Sequence, residues 1–117
     1  MANPSKALGT AWETAVVRFL QASGFPRARR KVLTGRLDEG DIDLGSCEIT
    51  IEAKNVQKIT LSSFSDEAAR EARNAGGGYG VVVVKRRNKG VGQAYTVMRL
   101  EDFCDLVTRF AQPESSG

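Results

Sequence analysis

The sequence predicts an α/β fold in which a central mixed sheet of about five strands is flanked by helices. Three observations carry this. Apolar residues recur at helical spacing in segments near both ends and in the middle of the chain. Tyr79 to Val84 is an almost unbroken apolar run, as expected of a strand covered on both faces. Two alternating runs, Asp41 to Leu44 and Cys47 to Lys54, read as the arms of a β-hairpin.

In order, Ser5 to Ser23 forms an amphipathic helix whose stripe is Leu8, Trp12, Ala15, Val16, Phe19 and Leu20. Ser5 is its expected N-cap, and Gly24 and Pro26 end it. Arg27 to Val32 is a short strand, followed by a loop from Thr34 to Gly40. After the hairpin, Leu61 to Ala75 is a second helix, with Ser62, Ser63 and Ser65 as candidate caps and a small-residue stripe of Phe64, Ala68, Ala72 and Ala75. That stripe suits close packing on the sheet. Gly76-Gly77-Gly78 is a turn into the central strand. Gln93 to Leu100 is a further strand, and Glu101 to Phe110 a closing helix with Phe103, Leu106, Val107 and Phe110 on its inner face. Gln112 to Gly117 is expected to be a disordered tail. The 117 residues are expected to form one domain, with its ordered core at 5–111.

Composition narrows the chemistry. With 41% hydrophobic and 26% charged residues the chain is an ordinary globular one, and it has no apolar run of membrane-spanning length. The polar N-terminus does not resemble a secretory signal, so a cytoplasmic location is expected. Two distant cysteines, Cys47 and Cys104, suggest core packing rather than a disulfide framework or a zinc site. The sequence contains no histidine, which excludes Ser-His and Cys-His pairs, a histidine base and His-ligated zinc. Hydrolytic chemistry would have to rest on carboxylates, lysine and a hard metal. The net charge of +3 favours a polyanionic partner only mildly. Arg27, Arg29, Arg30, Lys31 and Arg36 form one basic segment, and Lys85, Arg86, Arg87 and Lys89 a second. Either is a solvated face or a contact for a phosphate backbone.

The hairpin is where chemistry concentrates. With Gly45-Ser46 as a two-residue turn, Leu44 faces Cys47, Asp43 faces Glu48, Ile42 faces Ile49 and Asp41 faces Thr50. Ile42, Leu44, Cys47, Ile49, Ile51 and Ala53 then share an apolar face, and Asp41, Asp43, Glu48, Thr50, Glu52 and Lys54 the other. Asp41 and Glu52 become diagonal neighbours at roughly 7 Å, a spacing at which two carboxylates can share one hard cation. Lys54 stands where it can activate water or stabilise charge on a phosphate. Glu13, at the edge of the first helix stripe, is either a surface glutamate pairing with Arg18 or a neighbour, or a third carboxylate aimed at this site.

Lys6-x-x-Gly9-x-x-x-Glu13, Gly40-Asp41-Ile42 and Glu52-x-Lys54-Asn55, in this order of elements, resemble the PD-(D/E)xK nuclease superfamily. Within it the chain is most similar to archaeal-type and phage Holliday-junction resolvases, over roughly residues 5–105. The resemblance implies a restriction-endonuclease-like core and metal binding by Asp41, Glu52, Glu13 and the Ala53 carbonyl. It also implies that Lys54 helps to activate the attacking water. Magnesium, or manganese in its place, is the implied cofactor. Gly40 stands where the family name has proline, and Asp43 is a rival to Asp41.

The expected function is a metal-dependent, structure-selective DNA endonuclease, a Holliday-junction resolvase acting as a homodimer on four-way junctions without any membrane association. Lys6 and the two basic segments would contact DNA. The alternatives are a nuclease of the same type for flaps, mismatches, nicked or foreign duplex, and a non-catalytic basic nucleic-acid-binding module.

Overall fold

The structure is a computed structural model that describes residues 4–32, 38–45 and 48–111. Its elements are α1 (Pro4–Ala22), β1 (Arg29–Arg30), β2 (Ile42–Asp43), β3 (Ile49–Lys54), α2 (Leu61–Asn74), β4 (Tyr79–Val84), β5 (Tyr95–Val97) and α3 (Leu100–Phe110). The five strands form one mixed sheet in the order β1-β2-β3-β4-β5. β3 and β4 run parallel, and every other neighbouring pair is antiparallel. The expected α/β architecture with a central mixed sheet is therefore present. Among the described residues, no helix is long and apolar enough to cross a membrane.

Alternation along the strands assigns the two faces to two helices. Trp12, Val16 and Val17 of α1 pack on Ile42, Leu44, Ile51 and Val83. The Trp12 indole N–H donates to the Val83 carbonyl at 3.3 Å, which fixes α1 to the middle of the sheet. On the opposite face, Ala68 of α2 packs with Val82 and Val84, joined by Phe64. All six residues of β4 are buried, as its apolar run predicts.

The small residues of α2 have a specific use. A β-carbon at Gly80 would run into the backbone of Ala68 and Ala69, so helix and strand meet there backbone to backbone. Gly80→Ala is expected to lift α2 and destabilise the protein by about 1–3 kcal/mol, the usual cost of overpacking. Urea unfolding of the variant would measure this, and an unchanged midpoint would contradict the close approach.

Several expectations are corrected. The register is Ile42 opposite Ile51 and Asp43 opposite Thr50, two residues from the expected Ile42–Ile49 and Asp41–Thr50 pairs, while the expected turn at Gly45-Ser46 and the Leu44–Cys47 pair fall partly outside the described residues. Tertiary contacts override the local signal here. The Glu48 carbonyl is taken by the Tyr79 N–H of β4 at 2.8 Å, and Asp43 Oδ1 accepts from the Gly45 N–H at 2.9 Å. The shift is by two residues, so each side chain keeps its face. The strand expected at Arg27 to Val32 shrinks to two residues. That expected from Gln93 shrinks to Tyr95–Val97, because Val91–Gln93 closes a 3-10 turn through the Gln93 N–H to Gly90 carbonyl bond. α2 begins after Thr60, which makes no side-chain cap, rather than at a serine cap.

The largest departure is α3. Its apolar side is not an inner face, since no residue of α3 is buried and Phe103 and Phe110 are 51% and 75% exposed. Both sheet faces are already occupied by α1 and α2, and periodicity alone does not say what covers a stripe. Cys104 is correspondingly exposed rather than packed. Phe19 and Leu8 of the α1 stripe are also exposed. The Ser5 cap, Arg36, Cys47 and the tail from residue 112 lie outside the described residues and side chains.

Candidate metal and phosphate site

Two parallel strands, β3 and β4, end side by side, and the Lys85 N–H bonds to the Lys54 carbonyl at 2.9 Å. The carboxyl ends of parallel strands are where α/β sheets open to ligands. Glu52 and Lys54 alternate onto the α2 face, with Ala53 between them on the α1 face.

Asp41 reaches this end of β3 from the antiparallel strand. Its N–H bonds to the Ile51 carbonyl at 3.0 Å, and its Oδ2 accepts from the Ala53 N–H at 2.9 Å, so the two bonds bracket Glu52. Gly40 makes the approach possible. Its φ is +95°, and a β-carbon there would meet the Thr50 side chain. Proline, locked near φ −65°, cannot take this conformation. Asp43 is engaged elsewhere, in the Gly45 bond and a 3.4 Å pair with Arg29.

Glu13 arrives from α1, one residue after the anchored Trp12, and pairs with Arg30 at 3.3 Å rather than with Arg18. Burial and the nearby Asp41 charge raise its pKa, with Arg30 pulling the other way. Asp41 is raised too, chiefly by burial, against the Ala53 hydrogen bond. The structure thus brings Glu13, Asp41, Glu52 and Lys54 to one end of the sheet.

It also brings two residues that sequence reasoning missed. Glu67 and Glu71, on successive turns of α2, place carboxylate oxygens within 4.8 Å of each other and of Glu52. A signal was available. Phe64, Glu67, Ala68, Glu71 and Ala72 follow the i, i+3, i+4, i+7, i+8 pattern of a buried helix stripe. Two glutamates on that stripe are therefore turned inward. Glu71 is fully buried, and Glu52 nearly so. Glu52 Oε2 and both Glu71 oxygens have no hydrogen-bond donor among the described residues.

Lys54 answers only part of this charge. Its Nζ lies 3.2 Å from Glu67 Oε1, 3.4 Å from Glu52 Oε1 and 5.0 Å from the centre of the Phe64 ring. Burial alone would lower the lysine pKa, but the charges and hydrogen bonds of Glu52 and Glu67 outweigh it and hold the value above the ordinary one. Lys54 is therefore an ammonium at neutral pH. Glu52 is pushed far above the carboxylate range by burial, by the neighbouring Glu71 carboxyl and by the charge of Asp41. Burial raises Glu71 to about 7, with Glu52 opposing the rise and Asp38 adding to it.

The basic segments divide into tied and outward residues. Arg29 and Arg30 pair with Asp43 and Glu13, and Lys31 Nζ donates to the Glu39 carbonyl at 2.8 Å. Lys85 and Arg86 lie over the rings of Trp12 and Tyr95. Lys6, Arg27, Arg87 and Lys89 are exposed. Gly76 and Gly77 spend their N–H groups on the Arg73 and Ala72 carbonyls, as a turn does, and are not a phosphate cradle.

Fold and site together define an α/β protein with a carboxylate-lysine cluster at the ends of two parallel strands. Comparison with protein-family models, with curated proteins and with solved structures finds no match.

Proposed function

We propose that the protein is a magnesium-dependent DNA endonuclease of the PD-(D/E)xK type, and specifically a Holliday-junction resolvase that works as a homodimer. The observation that carries this reading is the meeting of Asp41, Glu52 and protonated Lys54 at the end of β3, with Glu13 beside Asp41. The order α1-β1-β2-β3-α2-β4 with a parallel β3–β4 pair supports the restriction-endonuclease-like core that the sequence motifs imply.

The donor set fits a hard divalent cation. Its side chains are all carboxylates, partly desolvated, and Glu52 Oε2 has no hydrogen-bond donor among the described residues. Asp41, Glu52, Glu13 and the Ala53 carbonyl are the residues that would hold it. A bound magnesium supplies Lewis-acid stabilisation of the charge that grows on the phosphoryl oxygens and makes water more acidic.

The remaining chemistry belongs to the chain. The Ala53 N–H fixes Asp41 Oδ2 and leaves Oδ1 to bind. Lys54, as an ammonium, donates to a phosphoryl oxygen and does not take the proton of water. A water oxygen bonds to phosphorus and gives up its proton to solvent as the bond to one ester oxygen breaks, and that oxygen leaves with a proton from solvent. The exposed Arg27, Arg87 and Lys89 hold the phosphate backbone without reading bases. Two symmetric nicks across a four-way junction suit a two-fold dimer.

The test is incubation with labelled four-way junction, flap, linear duplex and single strand, each with magnesium and with EDTA. Paired symmetric nicks on the junction, only with metal, are expected. Cleavage favouring another DNA would keep the chemistry and change the substrate. Tight binding with no cleavage under any divalent metal would leave a non-catalytic nucleic-acid-binding module.

A further inference from the structure

Glu52 belongs to two groups of carboxylates at once. On one side it neighbours Asp41, which comes from the end of the chain leading into β2 and lies near Glu13. On the other it faces Glu67 and Glu71 of α2. The second group has no place in the cleavage reaction, yet it contains the most buried charged side chain described in the protein. Glu71 is 0% exposed, and neither of its oxygens has a donor among the described residues.

A buried glutamate kept only for packing would be expected to find an N–H or O–H partner, because an unsatisfied buried polar group is costly. Lys54 does not supply one, since its contacts are with Glu52 and Glu67, and the adjoining Glu52 carboxyl can donate only by keeping a proton that a cation would displace. The three carboxylate oxygens lie within 4.8 Å of one another. Oxygens on opposite sides of a hard cation, at bond lengths of about 2.0–2.6 Å, stand about 4–5 Å apart. The Glu67 and Lys54 side chains are 29% and 21% exposed, so the group opens to solvent at the edge of α2.

We propose that Glu52, Glu67 and Glu71 form a second divalent-cation position beneath α2, sharing Glu52 with the Asp41 side, and that filling it frees Lys54 from Glu67. The cation takes over the Glu67 and Glu52 oxygens that now hold the ammonium. Lys54 is then available to a phosphate, a consequence that rests on the nuclease reading. The cation position itself does not depend on that reading.

Manganese is the probe, because it accepts the same oxygen ligands and is counted directly by electron paramagnetic resonance. The full chain should bind two Mn2+ per protomer. Glu71→Gln should bind one, as should Asp41→Asn, each losing a different position. Glu67→Gln, at a more exposed site, should weaken the second binding event at least tenfold and covers the case in which Glu71→Gln does not fold. In EDTA at pH 8, where Glu71 is ionised, Glu71→Gln should melt higher than the parent, because it removes an uncompensated buried carboxylate. Its gain in melting temperature on adding Mn2+ should be smaller.

Unchanged Mn2+ stoichiometry in Glu71→Gln and Glu67→Gln would overturn the proposal, as would a single parental Mn2+ lost only in Asp41→Asn. A lower melting temperature of Glu71→Gln in EDTA at pH 8 would mark Glu71 as a structural hydrogen-bonding residue and would overturn it too. Metal-dependent junction cleavage by the parent in any of these cases would leave the nuclease reading standing by itself.

Discussion

Lys54→Ala is expected to reduce metal-dependent cleavage by roughly 10²–10³-fold while leaving DNA binding nearly intact. Lys54 is an ammonium held at the end of β3, where charge would develop on the phosphate. Removing one such preorganised donor from a site of this kind costs about 10²–10³ in rate. Glu52→Gln should act at least as strongly, because Glu52 stands between Asp41 and the α2 glutamates and serves both groups. Binding should survive, since the exposed Arg27, Arg87 and Lys89 would hold the phosphate backbone from outside the cluster on the proposed reading. Gel-shift and cleavage assays on the same preparations check this, with circular dichroism to show that each variant is folded. A folded Lys54→Ala protein that still cuts at the parental rate would remove Lys54 from the mechanism. Loss of binding together with cutting would make it a binding residue.

Without metal, the protein should lose stability as the pH rises from about 4.5 to 7. The sign follows from Glu71. Burial raises its folded-state pKa from 4.5 to about 7, so between these values the folded protein holds a proton that the unfolded chain has released. The stabilisation is complete below the unfolded value and is lost as the pH passes through the folded one. At about 1.4 kcal/mol per unit of difference, this single group accounts for on the order of 3–4 kcal/mol. Glu52, Asp41 and Glu13 are raised in the same direction and reinforce the trend. Magnesium should reverse it, because a cation takes the place of the proton among the carboxylates. Thermal melts from pH 5 to 8, in EDTA and in magnesium, measure both. A melting temperature that rises with pH in EDTA would show that the glutamates are solvated instead of buried.

Much of the sheet was legible because its signals are local. The all-apolar run of β4, the bounds of α2 and the alternation that puts Glu52 and Lys54 on one face and Ala53 on the other were all readable from period and composition. The β2–β3 register was not. Gly45-Ser46 is a good turn dipeptide, but Glu48 is held by Tyr79, a residue 31 positions later in the chain. Asp41 and Glu52 could be associated from alternation alone, whereas Glu67 and Glu71 required knowing that α2 lies on the same face as Glu52. The amphipathicity of α3 was readable and its covering was not, because a helical stripe shows what a helix can bury and not whether anything is there.

Gly80 and Ala68 carry no functional group, yet they fix the distance between a helix that bears Glu67 and Glu71 and the strand beside the one that bears Glu52. The contact acts as a spacer. A helix resting on bare backbone has one seating depth, and both glutamates move together if that depth changes. Affinity for a cation in the cluster can therefore be tuned from the helix–sheet contact without altering a ligand. A search for variants with shifted metal preference should begin at these two small residues as well as at the carboxylates.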